Sequence, residues 1–196
     1  MIRLFVALRP PLVIREALFD LMDGVQAARW QDDEQLHVTL RFVGEVERPQ
    51  AEDIAAALGH IAAPVPQVAL SGVGSFGRGN RPDALWAGIA PAAPLAALHA
   101  KVERACVMAG LSPDRRAYRP HVTVARLPRS ASGGPDVAAW LARHAGLTSE
   151  PFAMPHLGLY RSYLGRDRAS YELVARWPLG TGDAAAGWPV ENRKGE

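Results

Sequence analysis

Leu36-His37-Val38-Thr39-Leu40-Arg41-Phe42-Val43 is the stretch that orders the rest of the chain. Its apolar residues alternate and Gly44 closes it, the pattern of a short strand with one buried face. Period two sets His37, Thr39 and Arg41 on one face and Leu36, Val38 and Leu40 on the other. Upstream, residues 2–8 read as a first strand, and Leu12, Ile14, Leu18, Leu21 and Val25 are spaced as the stripe of a helix over 11–28. Downstream, Pro49 opens an Ala-rich helix through Ala62, and residues 65–76 and 84–89 form two strands joined by Gly77-Arg78-Gly79-Asn80-Arg81-Pro82. Leu95, Leu98, Val102 and Cys106 share one face of a helix over 95–109 that Gly110 stops, which makes Cys106 a core residue. A strand at 122–127, a helix at 137–144 after Gly133-Gly134-Pro135, and strands at 152–163 and 169–177 complete the chain. Helices mixed with hairpins, without a run of βαβ units, predict an α+β fold with antiparallel sheet. One domain is expected over 1–179, followed by a Gly- and Ala-rich C-terminal tail, 180–196, without a core of its own.

Composition narrows the function classes. The chain has 196 residues, 48% hydrophobic and 21% charged, which fits a soluble globular protein. Pro, Gly, Arg or Asp interrupts every apolar run before it reaches the roughly 18–20 residues of a membrane span. The N-terminal apolar segment is short and stops at Arg9-Pro10-Pro11, so it reads as a strand and not as a signal peptide. A single cysteine excludes a disulfide scaffold and a Cys-based zinc site, and makes a reducing cytoplasm the simplest expected home. Net charge is only +2, but 20 arginines carry nearly all of the positive charge, and the arginine fork suits phosphate recognition. With no lysine-rich arm, any nucleic-acid footprint is expected to be small.

The informative feature is a repeated tetrapeptide. His37-Val38-Thr39-Leu40 recurs as His121-Val122-Thr123-Val124, 84 residues later. Random placement of six histidines and four threonines predicts about 0.1 His-x-Thr occurrences, so two are not chance. Each copy puts one imidazole and one hydroxyl on the same strand face. Side by side, the copies would offer two imidazoles and two hydroxyls around a phosphate-sized space. Imidazole serves as acid or base near neutral pH, and hydroxyls can hydrogen-bond the non-bridging oxygens of a phosphate as charge builds. No metal or cofactor is required. Packing alone does not account for a repeated polar pair, since Val and Leu suffice for it.

With Arg3-Leu4-Phe5-Val6-Ala7-Leu8, Leu36 to Val46, Leu85-Trp86-Ala87-Gly88-Ile89, Tyr118 to Arg126, and Leu159 to Leu164 followed by Tyr171, the chain resembles the 2H phosphoesterase superfamily. Within it, the resemblance is to the RNA 2′,3′-cyclic phosphodiesterase family, also called the 2′-5′ RNA ligase family. It implies a bilobal α+β fold, two pseudo-symmetric lobes of antiparallel sheet with outer helices around a central cleft. It further implies hydrolysis of an RNA-terminal 2′,3′-cyclic phosphate to a 2′-phosphate without metal or nucleotide cofactor; separately, a monomer is expected, with tRNA fragments among the candidate substrates. Carried over by motif, His37, Thr39, His121 and Thr123 form the catalytic set, His121 as base and His37 as acid, with Arg126 as a substrate contact. Phe76 and Tyr160 match family positions near the cleft. Strand parity adds Arg41 as a contact but turns Arg126 away, so Arg126 reaches the site only if its strand bends or ends near Ala125.

Gly72-Val73-Gly74-Ser75-Phe76-Gly77 satisfies a dinucleotide-binding pattern, but a turn into a strand follows it where a helix N-terminus is needed. P-loop, zincin and nucleophile-elbow motifs are absent from the sequence. Three other functions compete: a small-nucleotide cyclic phosphodiesterase, a ligase forming 2′-5′ linkages by the reverse chemistry, and an RNA-end binding module.

Overall fold

The computed structural model describes residues 1–78, 81–128, 134–165 and 169–180. Within them the apolar alternation builds strands β1 (Ile2–Leu8), β2 (Arg29–Trp30), β3 (Val38–Val46), β4 (Gln67–Arg78), β5 (Arg81–Ala90), β6 (His121–Arg126), β7 (Phe152–Ala153), β8 (His156–Leu164) and β9 (Ala169–Pro178). The helices are α1 (Leu12–Phe19), α2 (Arg48–Gly59), α3 (Ala92–Met108) and α4 (Pro135–His144). All described strand pairs are antiparallel, in the order β7-β4-β5-β6-β3-β1-β8-β9, with β2 added on β6. The α+β architecture with antiparallel sheet is therefore the observed one.

The sheet has two halves that meet at one point. β3 and β6 are paired only at Val38 and Val122, the central residues of the two repeated tetrapeptides. Behind the sheet, Leu4, Val6 and Leu8 of β1, Leu85 and Ala87 of β5, Val122 and Val124 of β6, and Leu157 and Leu159 of β8 are buried with Ile54, Leu58, Leu95, Leu98 and Val102 of α2 and α3. Each such Val, Leu or Ile side chain contributes about 1.5–3 kcal/mol, so the helix side holds the sheet in shape while the opposite face stays open for chemistry. Cys106 lies in this core, and burial pushes its thiol up to about 11.

Several boundaries differ from expectation. The helix expected over 11–28 ends at Phe19, where Leu21 and Met22 donate in tight turns to the Leu18 and Phe19 carbonyls and the Leu21 carbonyl accepts from the Trp140 indole at 2.7 Å; Gly24, φ +76°, lies in the turn beyond. Leu21 and Val25 still reach the core through turns. Gly44 (φ +87°) does not stop β3, which runs on to Val46. The strand expected over 152–163 is two: β7 pairs with β4, and β8 pairs with β1. Two-residue β2 follows no alternation and had no sequence signal. The hairpin positions 79–80 and tail residues 181–196 lie outside the described residues; Leu179 and Gly180 are fixed by hydrogen bonds to the Pro155 and Ala63 carbonyls.

Candidate active site

The bridge between Val38 and Val122 sets the site's geometry. Antiparallel register on either side of it puts Thr123 opposite His37 and Thr39 opposite His121, so both motifs share one face. The two imidazoles lie on a diagonal and the two hydroxyls on the other. Each ring is held in the same way: His37 Nδ1 donates to the Gln35 carbonyl at 2.7 Å, and His121 Nδ1 to the Arg119 carbonyl at 2.7 Å. A carbonyl only accepts, so the proton sits on Nδ1 and Nε2 of each ring is left to the cleft.

The supports behind those carbonyls are specific. Gln35 ends a 3-10 turn (Asp33–Gln35) with a capping box from Asp32, and its side-chain amide donates to the Ala169 carbonyl at 2.6 Å. Arg119 follows Tyr118, whose ring stacks on His99 of α3 at 4.2 Å.

The walls on the two sides differ. On the His37 side, Phe5 lies 4.8 Å from the imidazole, Tyr171 meets it edge-on at 5.3 Å, and Tyr160 stacks on Phe5 at 5.3 Å. On the His121 side, Phe76 meets the imidazole edge-on at 4.8 Å, and Trp86 lies 6.1 Å away. Phe76 thus lies against His121, and Tyr160 stands one ring away from His37, on Phe5. Phe5, Tyr171 and Trp86 were not singled out from sequence as site residues; their only signal was that they fall inside the matched segments. Two glycines make room for the rings. A Cβ on Gly74 would stand 2.2 Å from the Trp86 ring, and one on Gly158 would stand 2.4 Å from the Tyr160 ring.

The two arginine expectations are exchanged by backbone bulges. In β3, Val6 faces Arg41 while Ala7 faces Thr39, so Leu40 is an extra residue and parity flips beyond it. Arg41 therefore points to the helix side, 8% exposed, 2.8 Å from Glu103 and 3.2 Å from Asp114, donating to the Ser112 carbonyl at 2.7 Å. The contact role expected for Arg41 from strand parity is corrected by this bulge. In β6, Leu85 faces Ala125 while Trp86 faces Thr123, so Val124 is extra and Arg126 turns onto the histidine face. The bend that Arg126 needed is present.

Electrostatics follow from this arrangement. Burial, with the His121 and Arg126 charges, pushes His37 down to about 4 against the opposing effect of its bond to Gln35. Burial also lowers His121, with Arg126 and Arg119 adding to it and the Arg119 carbonyl opposing. A cation beside two neutral imidazoles makes a site that an anion would complete. Among the described residues no three His, Cys, Asp or Glu side chains gather as metal ligands, and no helix is long and apolar enough to cross a membrane.

A family profile described as the 2′-5′ RNA ligase superfamily matches residues 17–166. A Geobacillus stearothermophilus protein named RNA 2′,3′-cyclic phosphodiesterase is 32% identical over 162 residues, 82% of this chain and 50% of that protein. An Aeropyrum pernix protein of the same name is 39% identical over 49% of this chain and 55% of its own length, so the chain spans about half the length of these two curated relatives. An Escherichia coli protein of that name is 26% identical over 90% of this chain and 96% of its own length. The crystal structure of E. coli LigT without ligand superposes with a TM-score of 0.73 at 26% identity, covering 91% of this chain and 97% of that one.

Proposed function

The chain belongs to the 2′-5′ RNA ligase superfamily, and on that premise we propose that it hydrolyses an RNA-terminal 2′,3′-cyclic phosphate to a 2′-phosphomonoester. The observation that carries this reading is the Val38–Val122 bridge, which brings the two His-x-Thr segments onto one face with matched imidazole anchors. Curated relatives named for this activity support it.

In the mechanism, the phosphate monoanion sits between the two motifs. Thr39 and Thr123 donate to its non-bridging oxygens, and Arg126 adds a positive charge where negative charge grows in the transition state. His121 Nε2 takes a proton from water as the water oxygen bonds to phosphorus. The P–O3′ bond breaks on the other side, and His37 Nε2 gives its proton to O3′, leaving the phosphate on O2′. His37 must be protonated for this step although burial disfavours that; the bound phosphate supplies the counter-charge that restores it. No step calls for a metal or cofactor.

The deciding experiment is product analysis on an oligoribonucleotide with a 2′,3′-cyclic end, with excess chelator present. A 2′-phosphate product is expected. A 3′-phosphate, or activity restored only by a divalent ion, would overturn the reading.

A further inference from the structure

One row of directly opposed residues crosses the open face from the seam to the outer strand. It runs His121, Thr39, Ala7, Gly158 and Arg176, on β6, β3, β1, β8 and β9. Ala7 is buried, and the Tyr160 ring lies over Gly158, so the floor between Thr39 and Arg176 is an aromatic surface. Arg176 is exposed and makes no hydrogen bond or ion pair with a described residue.

Among the described residues, the carboxylates nearest Arg176 are engaged elsewhere. Arg9, two residues beyond Ala7 on β1's side of the same face, is paired with Asp33, which also accepts from Arg15 at 2.6 Å. Glu172 of β9 lies on the other face, where it accepts from the Tyr163 hydroxyl at 2.6 Å. The Tyr160 hydroxyl, raised mainly by burial, is held back by Arg9 and Arg176, which places both cations near its ring. In the opposite direction the same row meets Gly88, where a Cβ would strike the Ser71 carbonyl at 2.3 Å, and it reaches no cation.

Three strand spacings, about 14 Å, separate Thr39 from Arg176. One nucleotide repeat and one arginine side chain together span that gap. In the proposed mechanism O3′ departs on the His37 side, which would put the ribose on the side of Phe5 and Tyr160 and let its 5′ oxygen face the outer strand. We infer that Arg176 forms a second anion subsite, which binds the phosphate on the 5′ side of the terminal nucleotide by the two-pronged pairing that guanidinium offers to phosphate. This subsite rests on the cyclic-phosphate reading above. It makes the chain prefer an RNA end to an unphosphorylated cyclic mononucleotide.

The test compares adenosine 2′,3′-cyclic phosphate with the same nucleotide carrying a 5′-phosphate, and with a cyclic-ended dinucleotide, in wild-type, Arg176→Ala and Arg176→Lys proteins. Wild type should favour the 5′-phosphorylated nucleotide in kcat/KM by about tenfold at low salt, as one charge-assisted contact predicts. The dinucleotide, with the same phosphate as a diester, should share the preference. Arg176→Ala should bring both ratios near one, Arg176→Lys should keep part of them, and added salt should shrink them. A wild-type ratio near one, or ratios unchanged in Arg176→Ala, would overturn the subsite. Failure of the cyclic phosphodiesterase reading would look different, with none of the three substrates turned over. In that event calorimetric binding of adenosine 2′,5′-bisphosphate against adenosine 2′-phosphate decides the subsite, by the same comparison of wild type with Arg176→Ala.

Discussion

Phe42 and Arg126 occupy equivalent places, each five residues beyond the histidine of its own motif and each turned to the open face by a bulge three residues after that histidine. The duplicated scaffold thus presents an aromatic ring, 49% exposed and 6.1 Å from Phe5, on one side and a guanidinium on the other. The symmetry that builds the site ends at this pair, and the charge lies on the His121 half.

Replacing Arg126 by Met should therefore act on the chemistry and not on the fold. Both histidines lose a cation that lowers them, so both should titrate higher in a histidine-resolved NMR pH series. Turnover should fall by about a hundredfold, the scale for removing one donor to a developing charge. Unchanged titration would mean that the guanidinium lies away from the imidazoles.

Arg41 should behave in the opposite way. Arg41→Met leaves Glu103 and Asp114 without their shared cation in a largely buried setting, and should cost about 3 kcal/mol in denaturant unfolding. Combining it with Glu103→Gln should cost less than the two single losses added, since the groups belong to one cluster.

In the proposed mechanism the two lowered histidines set the pH dependence of kcat/KM. As base, His121 must be unprotonated, so kcat/KM falls as pH drops through its lowered value. As acid, His37 must be protonated, so kcat/KM falls as pH rises through its own lowered value, about 4. The bell should lie below the ordinary histidine value of 6.5, and the kcat bell should lie higher, because bound phosphate favours imidazolium. An alkaline limb in kcat/KM above pH 7 would contradict the burial of these rings.

Glycine supports under the rings give a packing test. Gly158→Ala forces the Tyr160 ring off its place on Phe5, and Gly74→Ala forces the Trp86 ring off its place beside Phe76. Each should lower stability by about 1–3 kcal/mol, the usual cost of overpacking, with altered tryptophan fluorescence for Gly74→Ala. Wild-type stability in both would mean that the rings have room to move aside.

The elements that position the histidines were legible in sequence because period-two alternation and a repeated tetrapeptide are local signals. Parity beyond the motif was not. Leu40 and Val124 become extra residues only when β3 pairs with β1 and β6 with β5, so Arg41 and Arg126 exchange roles through partners that no local pattern reveals. The early end of α1 depended likewise on a distant donor, the Trp140 indole. Phe5 and Tyr171 read as ordinary strand aromatics until the strands placed them against His37.

The roles of the two imidazoles separate on a substrate whose leaving group needs no proton. With an activated phosphodiester, His37→Ala should recover much of its activity and His121→Ala should not. Recovery of the His121 variant alone would reverse the assignment.

The central claim, acid–base catalysis shared across the Val38–Val122 seam, is tested most directly by single-turnover hydrolysis of a cyclic-ended oligoribonucleotide by folded His37→Ala and His121→Ala proteins. Each should be slower than wild type by at least about a hundredfold, the scale of a lost general acid or base. Turnover near the wild-type rate in either variant would contradict the claim.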